Sequence, residues 1–366
     1  MVNMKMAEEQ RYIPINKGHF DLDTQERTER FHRILGEGWE DEYREYRRLW
    51  IELPKAQIVR DYPLLVDLEL SSICNLRCPM CPTTTIDYKK MVKRGLMELE
   101  LAKKIIDEIQ GKVYSLRLSL VGEPTLNPHF LEILSYAKQK GIKEVSFLTN
   151  GGKLELDYFK EIVRAGADWI TISVDGVGED YDRIRHPLKY VDMVQKLRDI
   201  HQYKLETGVR KPVIKVQGVW PAIKPNLAEY YETIASCTDL VAYNPLIDYL
   251  QKDRDDQIVY VDGFSCPQYY QRLVVSSDGT VKMCSNDEHR TQIIGDVENE
   301  TVHQVWHGAR LNELRNIHKQ DDGFKQIEAC RHCYYPRMTE VSEQATVGGR
   351  IIHIENYVNR SQKIGE

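Results

Sequence analysis

Seven of the eight cysteines fall into two groups whose spacing can hold metal. Cys74, Cys78 and Cys81, within SSICNLRCPMCP, form C-x3-C-x2-C. Three thiolates on one short loop can ligate three corners of a four-iron cluster, and the spacing makes the chain wrap it. The fourth iron then has no protein ligand, and an open metal position is where a substrate or cofactor binds. The plain alternative is a zinc knuckle or a chance cluster. A zinc site would want a fourth ligand nearby, and this loop holds no histidine. The second group is Cys266, Cys284, Cys330 and Cys333. Its first pair reads C-x12-G-x4-C, with Gly279 at a turn, and its second pair is C-x2-C. Four thiolates from two clips can close a full shell around zinc or a four-iron cluster, and ligand count alone favours zinc. No cysteine follows Cys333, so a second site of this kind has no ligands.

These groups need elements to position them. Residues 24–50 read as a helix interrupted at Gly36-Glu37-Gly38. Phe31, Trp39, Tyr43, Tyr46 and Trp50 suit packing on a neighbouring core, and EDEYREYRR reads as a solvated face with i,i+4 pairs. From 63 to about 246, strand candidates (64–70, 115–121, 144–150, 168–174, 213–219 and 239–245) alternate with helix candidates around 97–110, 129–140, 154–165, 190–207 and 226–237. Strict βα alternation predicts right-handed crossovers and a parallel sheet. Six strands predict an α/β fold, a partial (βα)6 TIM-like barrel. Beyond it, QRLVVSSDGTVKMC reads as a hairpin turning at Asp278-Gly279, and 301–318 as a helix. Together with the cysteines, these predict a small C-terminal hairpin/helix cluster-binding domain. The expected division is a charged helical extension over 1–62, the barrel over 63–250, the cluster domain over 251–340, and a tail of weak signal over 341–366.

The 366 residues carry a formal charge of −6, with 42% hydrophobic and 29% charged residues. Net acidity argues against nucleic-acid or membrane-surface partners, both of which are anionic. No apolar run approaches the roughly 20 residues of a bilayer span. The N-terminal stretch is polar and lacks the apolar segment of a signal peptide. A reducing, cytoplasmic location is expected, where cysteines serve as metal ligands or catalytic groups.

The triad, its place after the first strand, and several strand-end motifs in order resemble the radical S-adenosylmethionine (SAM) superfamily over about 64–246. Gly122-Glu123-Pro124, after the second strand, looks like that family's SAM-amine motif. Glu123 can take a charge-assisted bond from an ammonium, and Gly122 allows close approach to a ligand; alone, the tripeptide would read as a plain turn. The resemblance implies SAM contacts from Asn150 in LTNG, from Ser173, and from Arg185 in YDRIRHP, the last weighed against a surface salt bridge. Met80 stands where an aromatic residue commonly precedes the third cysteine. All these motifs sit at strand C-termini, the face where parallel αβ barrels build their sites.

The distal cysteines, with IIGDVENETVHQVWHGARLNELR, resemble the twitch/SPASM auxiliary domain, which implies iron–sulfur rather than zinc. The implied cofactors are SAM, the [4Fe-4S] cluster that binds it, and one auxiliary [4Fe-4S] cluster, fully ligated and moving electrons. The implied partners are an electron donor such as flavodoxin or ferredoxin and a substrate. The expected activity is hydrogen abstraction from a small polar, sugar-like or aminocyclitol-like molecule, ending in oxidation or epimerisation. A peptide-modifying SPASM maturase and a non-catalytic iron–sulfur or zinc protein are the alternatives. Cys237 belongs to neither group. The resemblance offers it a hydrogen-donor role, but its position before the sixth strand favours a small buried hydrophobe at the far end of the barrel. Gln217, Trp220, Tyr243 and Asn244 are candidates to face substrate by position alone.

Overall fold

The computed structural model describes residues 11–15, 17, 20–360 and 362–364. The first ten residues, on which the reading of the N-terminus largely rests, lie outside them. The strands are β1 (Phe20–Asp21), β2 (Leu65–Leu68), β3 (Ser115–Arg117), β4 (Glu144–Thr149), β5 (Trp169–Ser173), β6 (Val213–Val219), β7 (Leu240–Asn244), β8 (Arg272–Val275), β9 (Thr280–Lys282), β10 (Ile293–Asp296), β11 (Thr339–Val347) and β12 (Arg350–Tyr357). Ten share one sheet in the order β1-β7-β6-β5-β4-β3-β2-β8-β9-β10. Strands β2 to β7 are parallel neighbours in sequence order, with helices between them, as the alternation predicts. Because β1 and β10 are its edges, the sheet is an open, partial barrel.

Register separates its two faces. Val66, Leu116, Val145, Phe147, Ile170, Ile172, Ile214 and Val216 alternate onto the side that packs against the helices. The other face carries Asp67, Arg117, Ser146, Thr171, Lys215, Ser173 and Gln217. Asp67, fully buried, is paired there with Arg117 at 2.7 Å and Arg272 at 3.2 Å. A buried carboxylate needs such partners to remain charged.

The N-terminal helices Gln25–Gly36 and Glu40–Ala56 plug the bottom of this barrel. Glu40, Asp41 and Glu42 in the first turn complement the dipole of the second helix. Its buried Tyr43, Tyr46, Trp50 and Leu53 recur at helical spacing and pack, with Phe31 and Trp39, on Leu64, Leu65, Val213 and Leu240 at the strand beginnings. The aromatics therefore sit opposite the strand ends that carry the cysteine triad.

Several expectations need correction. β3 stops at Arg117 rather than 121, because the Ser119 hydroxyl accepts the Leu148 N–H that would have continued the ladder (2.8 Å). The helix expected over 301–318 breaks into Val302–Trp306 and Ala309–Ile317 at His307-Gly308. The predicted hairpin forms, with Gly279 at φ +84°, but it does not stand apart: β8 runs parallel to β2 and extends the barrel sheet. The tail, whose sequence gives only a weak signal, is the antiparallel pair β11–β12, joined by Gly348-Gly349, both at positive φ. Among the described residues, no helix is long and apolar enough to cross a membrane.

Candidate functional site

β2 delivers the cysteine loop at its C-terminal end. Ser71 fixes the turn, donating to Ile73 O (2.9 Å) and accepting from Ile73 N (3.2 Å). Cys81 N donates to Cys78 O (3.0 Å), folding the second half of the loop back on itself, and Leu76 N lies 3.4 Å from Cys74 Sγ. The loop packs through Leu76, Cys78 and Met80 on Ile184, Ala222 and Leu246, with Cys74 and Cys81 at the edge of that cluster. Met80 is thus a buried packing residue beside the thiols. Burial pushes the Cys78 thiol up to about 11 and raises Cys74, while Arg185 pulls Cys78 back down. Thiols this reluctant to ionise alone need a bound cation to become ligands, which iron supplies.

Gly122 is required by a neighbour other than the one expected. A Cβ there would lie 2.3 Å from Ser71 O and 2.5 Å from Ile73 O. The glycine admits the backbone of the cysteine loop, which Glu123 N then ties at Ile73 O (2.9 Å). The Glu123 carboxylate, expected to meet an ammonium, is mostly committed to the protein. Oε1 accepts from Thr125 N (3.2 Å), Thr125 Oγ1 (2.7 Å) and Thr149 Oγ1 (2.8 Å), and Oε2 from Asn150 N (2.7 Å). Oε2 keeps lone-pair capacity for one more donor. Pro124 opens the short turn Pro124–Leu126 that presents Thr125. Asn150 reaches the loop directly, donating from Nδ2 to Asn75 Oδ1 (2.8 Å) and lying 3.8 Å from Cys74 Sγ.

Ser173 ends β5 beside Gln217, both on the polar face. Arg185 forms no surface salt bridge: it is buried against Asp175, which also accepts Val219 N (2.8 Å). Tyr243 turns to the opposite face from Gln217 and is packed between Phe20 and Trp220, each ring centroid 5.1 Å away. Trp220 in turn donates to Glu343 of β11 (2.6 Å). Cys237 is buried between helix Leu227–Ala235 and the start of β7, its sulfur 3.4 Å from Thr233 O. It lies at the end of the barrel away from the triad.

The distal cysteines also converge. Burial pushes Cys266 and Cys333 up to about 12 and Cys284 and Cys330 well above the usual thiol range; like charge from other cysteines of the set raises Cys266, Cys284 and Cys330 further, and Glu288 raises Cys333. All four line one small pocket, with Met283 and His318. Thiolates around one zinc would sit about 3.8 Å apart, from Zn–S bonds of about 2.3 Å. Among the described residues, no three of these sulfurs lie within 4.8 Å of one another. His318 Nε2 is 3.6 Å from Cys330 Sγ, and burial lowers the imidazole to about 4, leaving it neutral.

Residues 68–233 match the Radical SAM superfamily, and residues 266–334 match an iron–sulfur cluster-binding domain, SPASM. The chain is 31% identical over 247 residues to the tungsten-containing aldehyde ferredoxin oxidoreductase cofactor-modifying protein of Pyrococcus furiosus, covering 62% of this chain and 67% of that one. The chain belongs to the radical SAM superfamily. As a radical SAM enzyme it uses a SAM-binding [4Fe-4S] cluster and auxiliary iron–sulfur in its SPASM region. Ligand count had favoured zinc for the distal shell; the match to an iron–sulfur cluster-binding domain favours iron–sulfur.

Two solved structures share the fold of this radical SAM enzyme. BtrN in complex with AdoMet and 2-DOIA superposes with TM-score 0.52 at 14% identity, covering 76% of this chain and 94% of that one. Streptococcus suis SuiB bound to SAM superposes with TM-score 0.53 at 12% identity, covering 80% and 77%. The chain spans two thirds of the Pyrococcus relative but only 35% and 37% of two other curated relatives.

Sequence reasoning missed a space beside the distal cysteine set. A small pocket there is bounded by Asp248, Tyr249, Asp287, Glu288, His289 and Cys333. Burial raises Tyr249, and charge from Glu288, Cys81 and Cys333 adds to it, so its ring lies within electrostatic reach of both sets. Asp248 and Asp287 are spent on structure. Asp248 accepts Lys252 N (2.8 Å) and Asp253 N (3.1 Å) beside Arg337, and Asp287 accepts Thr291 N (2.8 Å) and Gln292 N (3.0 Å). Glu288 is the remaining carboxyl, pushed up to about 8 by burial. The available signal was its position four residues after Cys284, in a loop held over a cluster.

Proposed function

We propose that this radical SAM enzyme oxidises a small polar, alcohol-bearing substrate held between its two cysteine sets. The cavity walled by Tyr249 and Glu288, with Cys333 on one side and Cys81 within electrostatic reach, carries the reading. When bound, SAM and its cluster supply a hydrogen-abstracting 5′-deoxyadenosyl radical, and the auxiliary cluster a one-electron acceptor. Loss of a hydrogen atom, a proton and an electron from a secondary alcohol leaves a ketone. In this chain Cys74, Cys78 and Cys81 hold the first cluster, while Asn150, Ser173, Arg185 and the spare capacity of Glu123 Oε2 orient SAM. Cys266, Cys284, Cys330 and Cys333 hold the auxiliary cluster. Glu288 takes the hydroxyl proton, because a carboxyl raised towards neutrality is an effective general base near pH 8. Residues 63–250 act as the SAM barrel and 251–340 as the cluster domain, with flavodoxin or ferredoxin supplying the first electron.

The test uses cluster-loaded protein, SAM, dithionite and a panel of sugar and aminocyclitol alcohols deuterated at the carbinol carbon. The expected result is deuterium in 5′-deoxyadenosine and a product two hydrogens poorer. Turnover should rise as pH passes about 8, where Glu288 loses its proton. Glu288→Gln should remove that limb and slow turnover by about 10²-fold. A product of unchanged mass, or crosslinking of an added peptide instead, would replace this reading.

A further inference from the structure

A different set of donors gathers at the opposite end of the barrel, outside both cysteine sites. Helix Val302–Trp306 carries His303, and His307 follows four positions on, one turn along the same face. Facing them is Asp61, in the segment that leads into β2. One donor atom from each of the three lies within 4.8 Å of the others. His303 Nε2 is 2.9 Å from Asp61 Oδ1, His307 Nε2 is 2.9 Å from the Asp61 carbonyl, and the two imidazole centroids are 4.5 Å apart.

The surroundings hold this arrangement without an ion. Thr301 and Gln304 close a capping box at the start of the helix. The Glu108 carboxylate accepts both Val302 N (2.8 Å) and His303 N (3.0 Å), and Trp306 Nε1 donates to Arg60 O (2.8 Å). Trp306 therefore ties the helix to the Asp61 loop, and Glu108 ties its first turn to helix Leu99–Ile109. An exposed His303–Asp61 ion pair alone would contribute little, and it gives no reason for a second imidazole to pack against the first.

We propose that Asp61, His303 and His307 form a site for a divalent cation of the zinc class. Two imidazole nitrogens and one carboxylate suit such an ion, with water completing its shell. His307 exchanges its bond to the Asp61 carbonyl for the metal. The ion fastens the first helix after the β8–β10 strands to the entry of β2, the strand that delivers the cysteine triad. Because it binds at the strand beginnings, its effect is on stability rather than on turnover.

The experiment takes untagged, cluster-loaded protein, dialysed anaerobically against micromolar Zn²⁺, with zinc, iron and thermal midpoint measured on each sample. Wild type should hold one zinc per chain more than His303→Gln/His307→Gln, with iron content equal in the two. Zn²⁺ should raise the midpoint by at least about 2 °C in wild type only. Asp61→Asn, which keeps the histidines, should weaken zinc binding about tenfold. Equal zinc in wild type and the double variant, zinc gained at the expense of iron, or unchanged affinity in Asp61→Asn would overturn the assignment.

Discussion

The two cysteine sets differ in how their surroundings treat them. The triad lies on one loop, with Cys74 and Cys81 half-exposed, and it is backed by Arg185, Asn150 and the Gly122-Glu123 turn. The distal four come from two separate clips, and three of them are fully buried. Like charge from other cysteines of the set raises Cys266, Cys284 and Cys330, and a neutral histidine stands by Cys330. Three ligands at an accessible edge leave an iron for a cofactor, whereas four ligands in a buried shell leave none. Under the proposed function, one set binds SAM, the other passes electrons, and the pocket at Tyr249 and Glu288 receives the substrate.

Removing either set should break the comparison in a different way. Cys74→Ala/Cys78→Ala/Cys81→Ala should abolish 5′-deoxyadenosine formation and lower iron from about eight to about four per chain. The protein should otherwise stay folded, because the loop covers only the top of the barrel. Cys330→Ala/Cys333→Ala should lose the other four irons, roughly, and destabilise the C-terminal region, where cluster binding is coupled to folding. SAM cleavage by this variant should stay within about tenfold of wild type, while substrate oxidation stops. Iron assay, chromatography of 5′-deoxyadenosine and thermal melts separate these outcomes. A smaller effect sharpens the role of the scaffold. Gly122→Ala forces a methyl group onto Ser71 O and Ile73 O, so it should cost about 1–3 kcal/mol in denaturant unfolding. It should also weaken SAM binding while leaving the auxiliary cluster loaded.

Much of this was legible in the sequence because it depends on local pattern. The six barrel strands announce themselves by β-rich runs alternating with amphipathic helices, and the cysteine spacings are covalent facts. The aromatic ladder from Phe31 to Trp50 was readable as a packing face, and it packs on Leu64 and Val213. What the pattern could not carry is long-range. The partner of Gly122 is the loop 49–51 residues earlier in the chain, not a ligand. The parallel pairing of β8 with β2 joins segments about 200 residues apart, so the hairpin appeared to stand alone. Arg185, a SAM contact by resemblance weighed against a surface salt bridge, pairs instead with the buried Asp175, which no local pattern shows. The β11–β12 pair has exposed, charged alternation that resembles a loop. Glu288 has no motif at all; its raised carboxyl comes from burial in a pocket beside Cys333.

The most direct test of an open and a closed site in one chain is electron paramagnetic resonance on reduced, fully loaded wild-type protein titrated with SAM. Two cluster signals are predicted. One should shift as SAM binds its open iron, and the other should remain unchanged through saturation. Shifts in both signals, or in neither, would contradict the account.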